Sequence, residues 1–224
     1  MNSTAIKRYP VCEIFFSEQG EGPYANTPSV FLRFAGCNLK CTWCDTKYSW
    51  HPEEIEFTMM SIAEIGEAMR KVAPEQNCKH IVITGGEPLL QQEAIRKIRE
   101  VFPKSFIEIE TSGSVKLTMD EKIVDHFNIS PKLKNSGNKP YDIQLNPANS
   151  ILKFVIQSPE DVEEVKELIQ KWKIEENRVW LMPEGQTAKE IEEKTSWIKE
   201  VCELNNWHFT SRLHILKYGA VKGK

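Results

Sequence analysis

The stretch that decides how this 224-residue chain is interpreted is Phe34-Ala-Gly-Cys37-Asn-Leu-Lys-Cys41-Thr-Trp-Cys44-Asp45, which completes an apolar run that begins at Ser29. Three thiolates on one short loop can hold three corners of a cubane [4Fe–4S] cluster. No fourth cysteine follows nearby, so the fourth iron stays open for a small chelating ligand, much as catalytic zinc keeps one open position. The spacing Cys37-x-x-x-Cys41-x-x-Cys44 therefore predicts an iron–sulfur site that carries out chemistry.

Other uses of these cysteines stay open at this point. A zinc site usually pairs C-x-x-C with a second such pair or with two histidines, and no second pair is present. A disulfide framework needs an oxidising compartment and an even, spread set of cysteines, whereas three of the six cysteines are clustered. Thiol redox chemistry is a further alternative. The remaining cysteines are isolated and are expected to fill the core or the surface: Cys12, Cys78 and Cys202.

The composition limits the classes of function. Apolar residues make up 40% of the chain and charged residues 27%, as in an ordinary soluble protein. No apolar run is long enough to span a bilayer, and the first residues lack the apolar core of a secretory signal. A net charge of −3 gives no electrostatic footprint for nucleic acid. We therefore expect one cytoplasmic domain over residues 1–224, with no nucleic-acid or membrane partner.

Short apolar runs alternate with amphipathic stretches along most of the chain, which indicates an α/β fold with right-handed crossovers. The pattern predicts strands over residues 30–35, 80–84, 106–110, 127–130, 152–156, 179–182 and 208–214. It predicts helices over 61–72, 94–101, 118–125, 159–173 and 187–205, the first with a capping box from Ser61 to Glu64. Residues 133–150 are expected to form one long loop.

About six strand–helix units are too few for an eight-fold barrel, which typically needs ~250 residues. The sequence therefore predicts a partial, incomplete TIM-type β/α barrel of about six parallel strands, with its chemistry at the carboxyl ends of the strands. The cysteine loop, residues 36–45, follows the first predicted strand, and Gly85-Gly-Glu-Pro88 follows the second. Both lie where a site is expected.

This pair of motifs resembles the radical S-adenosylmethionine superfamily. The resemblance implies that the methionine amino and carboxylate groups chelate the open iron. It also implies that one-electron reduction cleaves the sulfonium and releases a 5′-deoxyadenosyl radical. Gly85 and Gly86 would let the backbone approach the methionine closely.

Further motifs narrow the resemblance. The ordered set is similar to the 7-carboxy-7-deazaguanine synthases over nearly the whole chain: Glu18-Gln-Gly-Glu-Gly22, Trp43-Cys-Asp-Thr-Lys47, Val82-Ile-Thr-Gly-Gly-Glu-Pro88, Glu110-Thr-Ser-Gly113, Ser130-Pro-Lys-Leu133, and His214 followed by Lys217-Tyr-Gly219. The resemblance implies a magnesium-assisted ring contraction of 6-carboxy-5,6,7,8-tetrahydropterin with loss of ammonia. The product, 7-carboxy-7-deazaguanine, would feed biosynthesis of the tRNA base queuosine. The resemblance further implies a homodimer, a flavodoxin-type electron donor, a short N-terminal substrate-binding segment and a C-terminal extension.

The resemblance also assigns residue roles. Cys37, Cys41 and Cys44 would hold the cluster, and Thr46 would ligate Mg²⁺ with Asp45 behind it. The S-adenosylmethionine pocket would be formed by Trp43, Cys44, Asp45, Gly86, Ser130, Pro131, Lys132, Met182, Pro183, Glu184 and Gly185. The pterin would contact Glu18, Gln19, Gly20, Arg33, Thr84 and His214.

Arg33 has a physical argument of its own, because an arginine inside an apolar strand needs a buried anion nearby. Its planar fork suits a substrate carboxylate, although a strand-end surface charge stays open. Thr46 has the alternative of a plain loop threonine. Two segments depart from the family pattern: Met182–Gly185, where many members carry Gln-Pro, and 212–217, where Gln-Thr-His-Lys is frequent. The adenine contacts of the first segment and the role of His214 therefore stay open.

Two other functions remain as alternatives. A glycyl-radical-enzyme activating enzyme shares CxxxCxxC and similar size, but would act on a protein and would not need Thr46 or residues 19–22. An iron–sulfur or zinc binding module in electron transfer would leave Gly85–Pro88 and Arg33 unexplained.

Overall fold

The computed structural model describes residues 6–74 and 77–223. They form a nine-stranded sheet in the order β3-β1-β2-β4-β5-β6-β7-β8-β9. The strands are β1 (Tyr9–Glu18), β2 (Pro28–Phe34), β3 (Thr58–Met60), β4 (His80–Gly85), β5 (Phe106–Thr111), β6 (His126–Ile129), β7 (Ser150–Ile156), β8 (Val179–Pro183) and β9 (His208–Phe209). β2 and β4 to β9 are parallel. β1 pairs antiparallel with both β2 and β3.

Five α-helices in the described residues connect or follow the strands: α1 (Ile62–Val72), α2 (Gln92–Val101), α3 (Pro159–Trp172), α4 (Ala188–Leu204) and α5 (Leu213–Tyr218). The predicted capping box is confirmed, since Glu64 N donates to Ser61 Oγ at 3.3 Å and Ser61 N donates to Glu64 Oε2 at 2.7 Å. A second box joins Thr187 and Glu190 at the start of α4. Each box gives side-chain acceptors to two backbone N–H groups that the start of a helix otherwise leaves without a partner.

The apolar core has two halves. One half packs α1 and α2 on the first six strands through residues such as Leu32, Ile65, Ile83, Ile95 and Ile107. The other packs α3 and α4 on the later strands through Phe154, Val165, Leu181 and Ile198. Burying a side chain of this size stabilises the fold by about 1.5–3 kcal/mol. The helices thus cover the sheet over much of its length, and the partial β/α barrel predicted from the sequence is confirmed.

Two predicted elements are wrong. Residues 118–125 contain only a 3₁₀ turn, Glu121–Ile123, because the Gln92 side chain accepts from Thr118 N and Met119 N and holds that segment outside a helix. The predicted strand 208–214 ends at Phe209. Beyond it, Thr210 Oγ1 accepts from Gly22 N at 2.8 Å, and Leu213 N donates to Gly20 O at 3.0 Å. Because of these bonds, the residues after Phe209 leave the sheet and pack against residues 20–22. His214 therefore lies in α5 and not in a strand.

The remaining elements follow the prediction within a few residues at their ends. The long loop from 133 runs to β7, which begins at Ser150, and it includes the 3₁₀ turn Lys134–Ser136. β1, β3 and α5 were not predicted. None of the helices in the described part of the chain is both long and apolar enough to cross a membrane.

Candidate active site

A cavity of about 400 Å³ opens at the carboxyl ends of the parallel strands. It is bordered by the end of β1, the cysteine loop, the loops after β4, β5 and β6, the last residues of β8 and the C-terminal segment. Of the residues that the sequence predicted for a site, all but Pro131, Pro183 and Gly185 line this cavity. The fold therefore brings together one set of candidates that are up to 196 positions apart, from Glu18 to His214.

Each sulfur of the cysteine loop accepts one N–H hydrogen bond. Leu39 N donates to Cys37 Sγ at 3.4 Å. Asn138 Nδ2 donates to Cys41 Sγ and Trp50 Nε1 to Cys44 Sγ, both at 3.2 Å. Burial raises the pKa of the Cys37 thiol to about 11, so a metal that binds there must displace a proton.

The donor set fits a cluster better than a single ion. Within residues 6–74 and 77–223, no three His, Cys, Asp or Glu side chains converge as one metal ion would require. A four-iron cluster places each cysteine on a different iron and needs no such convergence. Three thiols with N–H donors, facing one cavity, therefore suit a three-cysteine cluster.

The two glycines after β4 allow a close backbone contact. A Cβ at Gly86 would lie 2.3 Å from Gly36 O, and one at Gly85 would lie 2.4 Å from Phe34 O. Gly85 also has a φ of +154°, which side chains rarely adopt. Both glycines are thus required because the end of β4 packs closely against Phe34 and Gly36. The sequence motif alone does not reveal this packing.

Glu87, the residue after the two glycines, joins the end of β4 to the end of β5. Its buried carboxylate accepts from Thr111 Oγ1 at 2.6 Å, from Ser112 N at 2.9 Å and from Leu89 N at 3.0 Å. These bonds join the ends of β4 and β5. The glutamate of the Gly-Gly-Glu-Pro motif is therefore a structural anchor that orients the wall of the cavity.

A network of buried charges forms another wall. Lys153 in β7 pairs with Glu21, and Arg212 pairs with Asp45, donates to Gly185 O and lies 3.6 Å from Glu21 Oε1. Burial by itself raises the pKa of Glu21, but Lys153 and Arg212 outweigh it and bring the pKa down to about 2. The carboxylates are therefore ionised, and Asp45 is held by Arg212.

Arg33 lies beside an anion that belongs to the protein. Its Nε donates to Glu13 Oε1 at 2.6 Å, and Tyr48 Oη donates to the same oxygen at 2.6 Å. Burial, with the bond to Glu13, raises the pKa of Tyr48, so the phenol keeps its proton. The buried anion that Arg33 requires is thus supplied by the unpredicted strand β1, while its contact with a substrate carboxylate stays a prediction.

The other predicted pterin residues lie together at the end of β1. Gln19 is buried, and its Nε2 donates to Glu110 Oε1 at 3.1 Å. A Cβ at Gly20 would lie 2.5 Å from His214 Nδ1, so these two residues are in contact. Burial lowers the pKa of His214, which favours its neutral form.

The predicted magnesium ligand, Thr46, lies next to the cysteine loop. Its Oγ1 lies 3.6 Å from Cys44 Sγ.

Sequence reasoning missed several residues of the cavity. Three are polar side chains within the parallel strands, and two precede a helical turn: Glu110, Asn128 and Lys153, and Glu21 and Arg212. A charge in an apolar run needs a buried partner, and Lys153 in Ile151-Leu-Lys-Phe-Val155 meets this condition as Arg33 does, so its sequence context indicates a buried ion pair. Both amide atoms of Asn128 are buried without a hydrogen-bond partner in the described part of the chain, so they are available to a ligand.

Sequence similarity agrees with this site. Residues 32–198 match the sequence profile of the Radical SAM superfamily. The chain is 36% identical to the 7-carboxy-7-deazaguanine synthase of Pyrobaculum aerophilum, over 99% of this chain and 100% of that protein. It is 34% identical to the protein of that name from Hyperthermus butylicus, over 92% of this chain and 91% of the other.

A solved structure shares the fold. The crystal structure of QueE from Escherichia coli has a TM-score of 0.73 at 24% identity, covering 92% of this chain and 95% of that one. Together with the two relatives, this similarity extends over nearly the full chain. The chain therefore belongs to the Radical SAM superfamily and, within it, to the family of the 7-carboxy-7-deazaguanine synthases.

Proposed function

We propose that this protein converts 6-carboxy-5,6,7,8-tetrahydropterin into 7-carboxy-7-deazaguanine, as a radical S-adenosylmethionine lyase of 7-deazapurine and queuosine biosynthesis. The observation that carries the proposal is one cavity in which the three cysteines, the Gly85-Gly86 corner and the charge network around Glu21 face each other. Similarity to proteins of this name over nearly the whole length favours it over a glycyl-radical-enzyme activating enzyme.

The cysteine loop and the loops beside it would bind the cofactors. Cys37, Cys41 and Cys44 would hold a [4Fe–4S] cluster, which, when bound, supplies the electron that cleaves S-adenosylmethionine. S-adenosylmethionine would lie against Gly86, Ser130 and the other residues of its predicted pocket. Lys132 Nζ lies 5.3 Å from the Trp43 ring centroid and donates to Ser130 Oγ at 2.9 Å, so these three predicted pocket residues contact each other.

The end of β1 and the charge network would bind the pterin. A planar, amide-rich ring needs buried donors and acceptors at fixed positions, and Gln19, Glu110, Asn128 and Lys153 line the cavity together. Arg33, Thr84 and His214 would complete this side. The polar groups around the ring would orient it in the cavity.

Magnesium would bind at Thr46. Its hydroxyl lies in the cavity wall beside Cys44, and Mg²⁺ needs few protein ligands since it keeps waters and takes oxygens from the substrate. Asp45 was expected to stand behind this site, but its carboxylate pairs with Arg212. Asp45 would therefore support Thr46 indirectly, since its pairing with Arg212 fixes the loop that carries both residues.

Several broader proposals accompany this function. We propose that residues 1–224 form one domain, that the protein acts in the cytoplasm as a homodimer, and that a flavodoxin-type protein donates its electrons. The net charge of −3 supports the expectation that neither nucleic acid nor a membrane is a partner.

The test is anaerobic reconstitution with iron and sulfide, followed by assay with the pterin, S-adenosylmethionine, Mg²⁺ and a reductant. The product, 7-carboxy-7-deazaguanine, is identified by its mass and absorption. Cys44→Ala should lose the visible iron–sulfur absorption and turnover together, while the matched variant Cys78→Ala, which changes a buried thiol bonded to Met69 O, should keep both. A reconstituted protein that cleaves S-adenosylmethionine but leaves the pterin unchanged would contradict the proposed substrate.

A further inference from the structure

Two of the N–H groups that contact the cysteine sulfurs come from outside the cysteine loop. Trp50 follows the loop after a short turn, and Asn138 belongs to the long connection between β6 and β7. Each donates to a different sulfur, Trp50 Nε1 to Cys44 and Asn138 Nδ2 to Cys41, at 3.2 Å. Neither residue belongs to the cysteine motif, and neither was expected to have a role.

The orientation of the Asn138 amide follows from a second bond. Lys40 N donates to Asn138 Oδ1 at 2.9 Å. Since a backbone N–H can only donate, the oxygen must face Lys40, and the NH₂ group must then face Cys41 Sγ. Thr42 N also donates to Ser136 O at 3.0 Å, so the segment 136–138 holds the middle of the cysteine loop at two points.

The position of Trp50 is fixed by the turn that precedes it. Ser49 N donates to Thr46 O at 2.8 Å, Trp50 N donates to Lys47 O at 3.0 Å, and Gly36 N donates to Ser49 O at 2.7 Å. The last bond joins the turn to the start of the cysteine loop. An indole N–H can only donate, so Trp50 Nε1 is the donor and Cys44 Sγ the acceptor of this hydrogen bond.

We propose that Trp50 and Asn138 set the reduction potential of the cluster through N–H···S hydrogen bonds to Cys44 and Cys41. The inference rests on the proposed function, since it takes these sulfurs as cluster ligands. Reduction adds negative charge that the cysteine sulfurs share, and an N–H donor stabilises that charge. Both bonds therefore favour the reduced cluster and raise its potential. Trp50 and Asn138 act through the cysteines, as positioning residues.

The test uses Trp50→Phe, which keeps a flat ring and removes the N–H, and Asn138→Leu, which keeps the approximate volume and removes the donor. The reconstituted proteins are titrated anaerobically, without S-adenosylmethionine or pterin, and the reduced cluster is followed by electron paramagnetic resonance. Each variant should lower the equilibrium constant for reduction about tenfold, which for a one-electron couple is a fall of about 59 mV. The matched control is Trp172→Phe, because that indole lies at the end of α3 and donates to Asp142 Oδ1 at 2.9 Å.

The outcomes separate this inference from the proposed function. A wild-type protein that assembles no [4Fe–4S] cluster refutes the proposed function. If the wild type carries the cluster and both variants titrate at its potential, only the present inference is overturned. It is also overturned if Trp172→Phe shifts the potential as much as Trp50→Phe, or if the variants fold, as judged by circular dichroism, but hold no iron.

Discussion

Replacement of Lys153 by Met tests whether the buried charge network stabilises the fold around the cavity. Lys153 lies in the middle of β7, and its ammonium group pairs with Glu21 at the end of β1. Their side chains are only 5% and 13% exposed. Removing one partner of such a pair leaves the other charge buried without compensation, which costs more than the pair itself gains.

The magnitude follows from the burial of the pair. The ordinary pKa of Glu21, 4.5, falls to about 2 in the folded protein, although burial opposes the fall, with Lys153 as the largest favourable cause and Arg212 as the next. The folded protein therefore stabilises the ionised carboxylate, and Lys153 contributes most to that stabilisation. We expect Lys153→Met to lower the free energy of unfolding at pH 7 by about 3–5 kcal/mol, the range for a broken buried pair.

The pH dependence gives an independent check. Because the folded-state pKa of Glu21 is depressed, its stabilising contribution is fully present above pH 4.5 and is lost as the pH falls from 4.5 toward 2. In Lys153→Met the folded-state pKa should be closer to 4.5 or above it. The variant should therefore lose less stability than the wild type over that acidic range.

Urea unfolding followed by circular dichroism measures these differences. Lys166→Met is the matched control, since Lys166 pairs with Glu163 on the exposed face of α3, where the side chains are 39% and 69% exposed. It should change the free energy of unfolding by less than about 1 kcal/mol. The double variant Glu21→Gln/Lys153→Met should recover part of the loss. A loss below about 1 kcal/mol in Lys153→Met, or no recovery in the double variant, would refute the reasoning.

Further changes test the cavity residue by residue. Arg33→Lys keeps the charge but loses the fork that can span Glu13 and a substrate carboxylate, so pterin binding measured by calorimetry should weaken by about 1.5–3 kcal/mol; unchanged affinity would remove Arg33 from the substrate site. Thr46→Val keeps the shape but removes the oxygen, so the protein should retain its iron and bind S-adenosylmethionine while losing magnesium-stimulated turnover; full stimulation would make Thr46 a plain loop residue. Gly86→Ala places a Cβ 2.3 Å from Gly36 O, so the melting temperature and iron content should both fall, and an unaltered protein would show that this contact relaxes easily.

Much of the fold was predictable because the parallel strands are buried on both faces and read as continuous apolar runs. β7 is an example, with every residue from Ser150 to Ile156 buried. β1 was not predicted because its alternation is interrupted. The pairing of β1 with β2 shifts register between Val11 and Glu13, and such a bulge moves the later side chains to the opposite face.

The cysteine motif located the candidate site, but most of its polar wall depends on distant contacts. Arg212 lies within residues 208–214, which the sequence predicted as a strand, and nothing near it in sequence indicates that it pairs with Asp45 and approaches Glu21. Its buried position depends on the chain leaving the sheet at Thr210, where the hydroxyl accepts from Gly22 N. Such tertiary contacts override the local β-propensity of residues 208–214.

The position of Arg212 has a consequence for the order of assembly. It joins Asp45, beside the cysteines, to the start of α5, 167 positions later in the sequence. During synthesis the N-terminal residues emerge first, so the cysteines leave the ribosome long before the guanidinium that holds their loop. A nascent chain that ends before Arg212 exposes its thiols while the wall of the cavity is still unfinished. Iron should therefore be inserted stably only after Arg212 has emerged and paired with Asp45, and contacts of such long sequence separation make this closure a slow step.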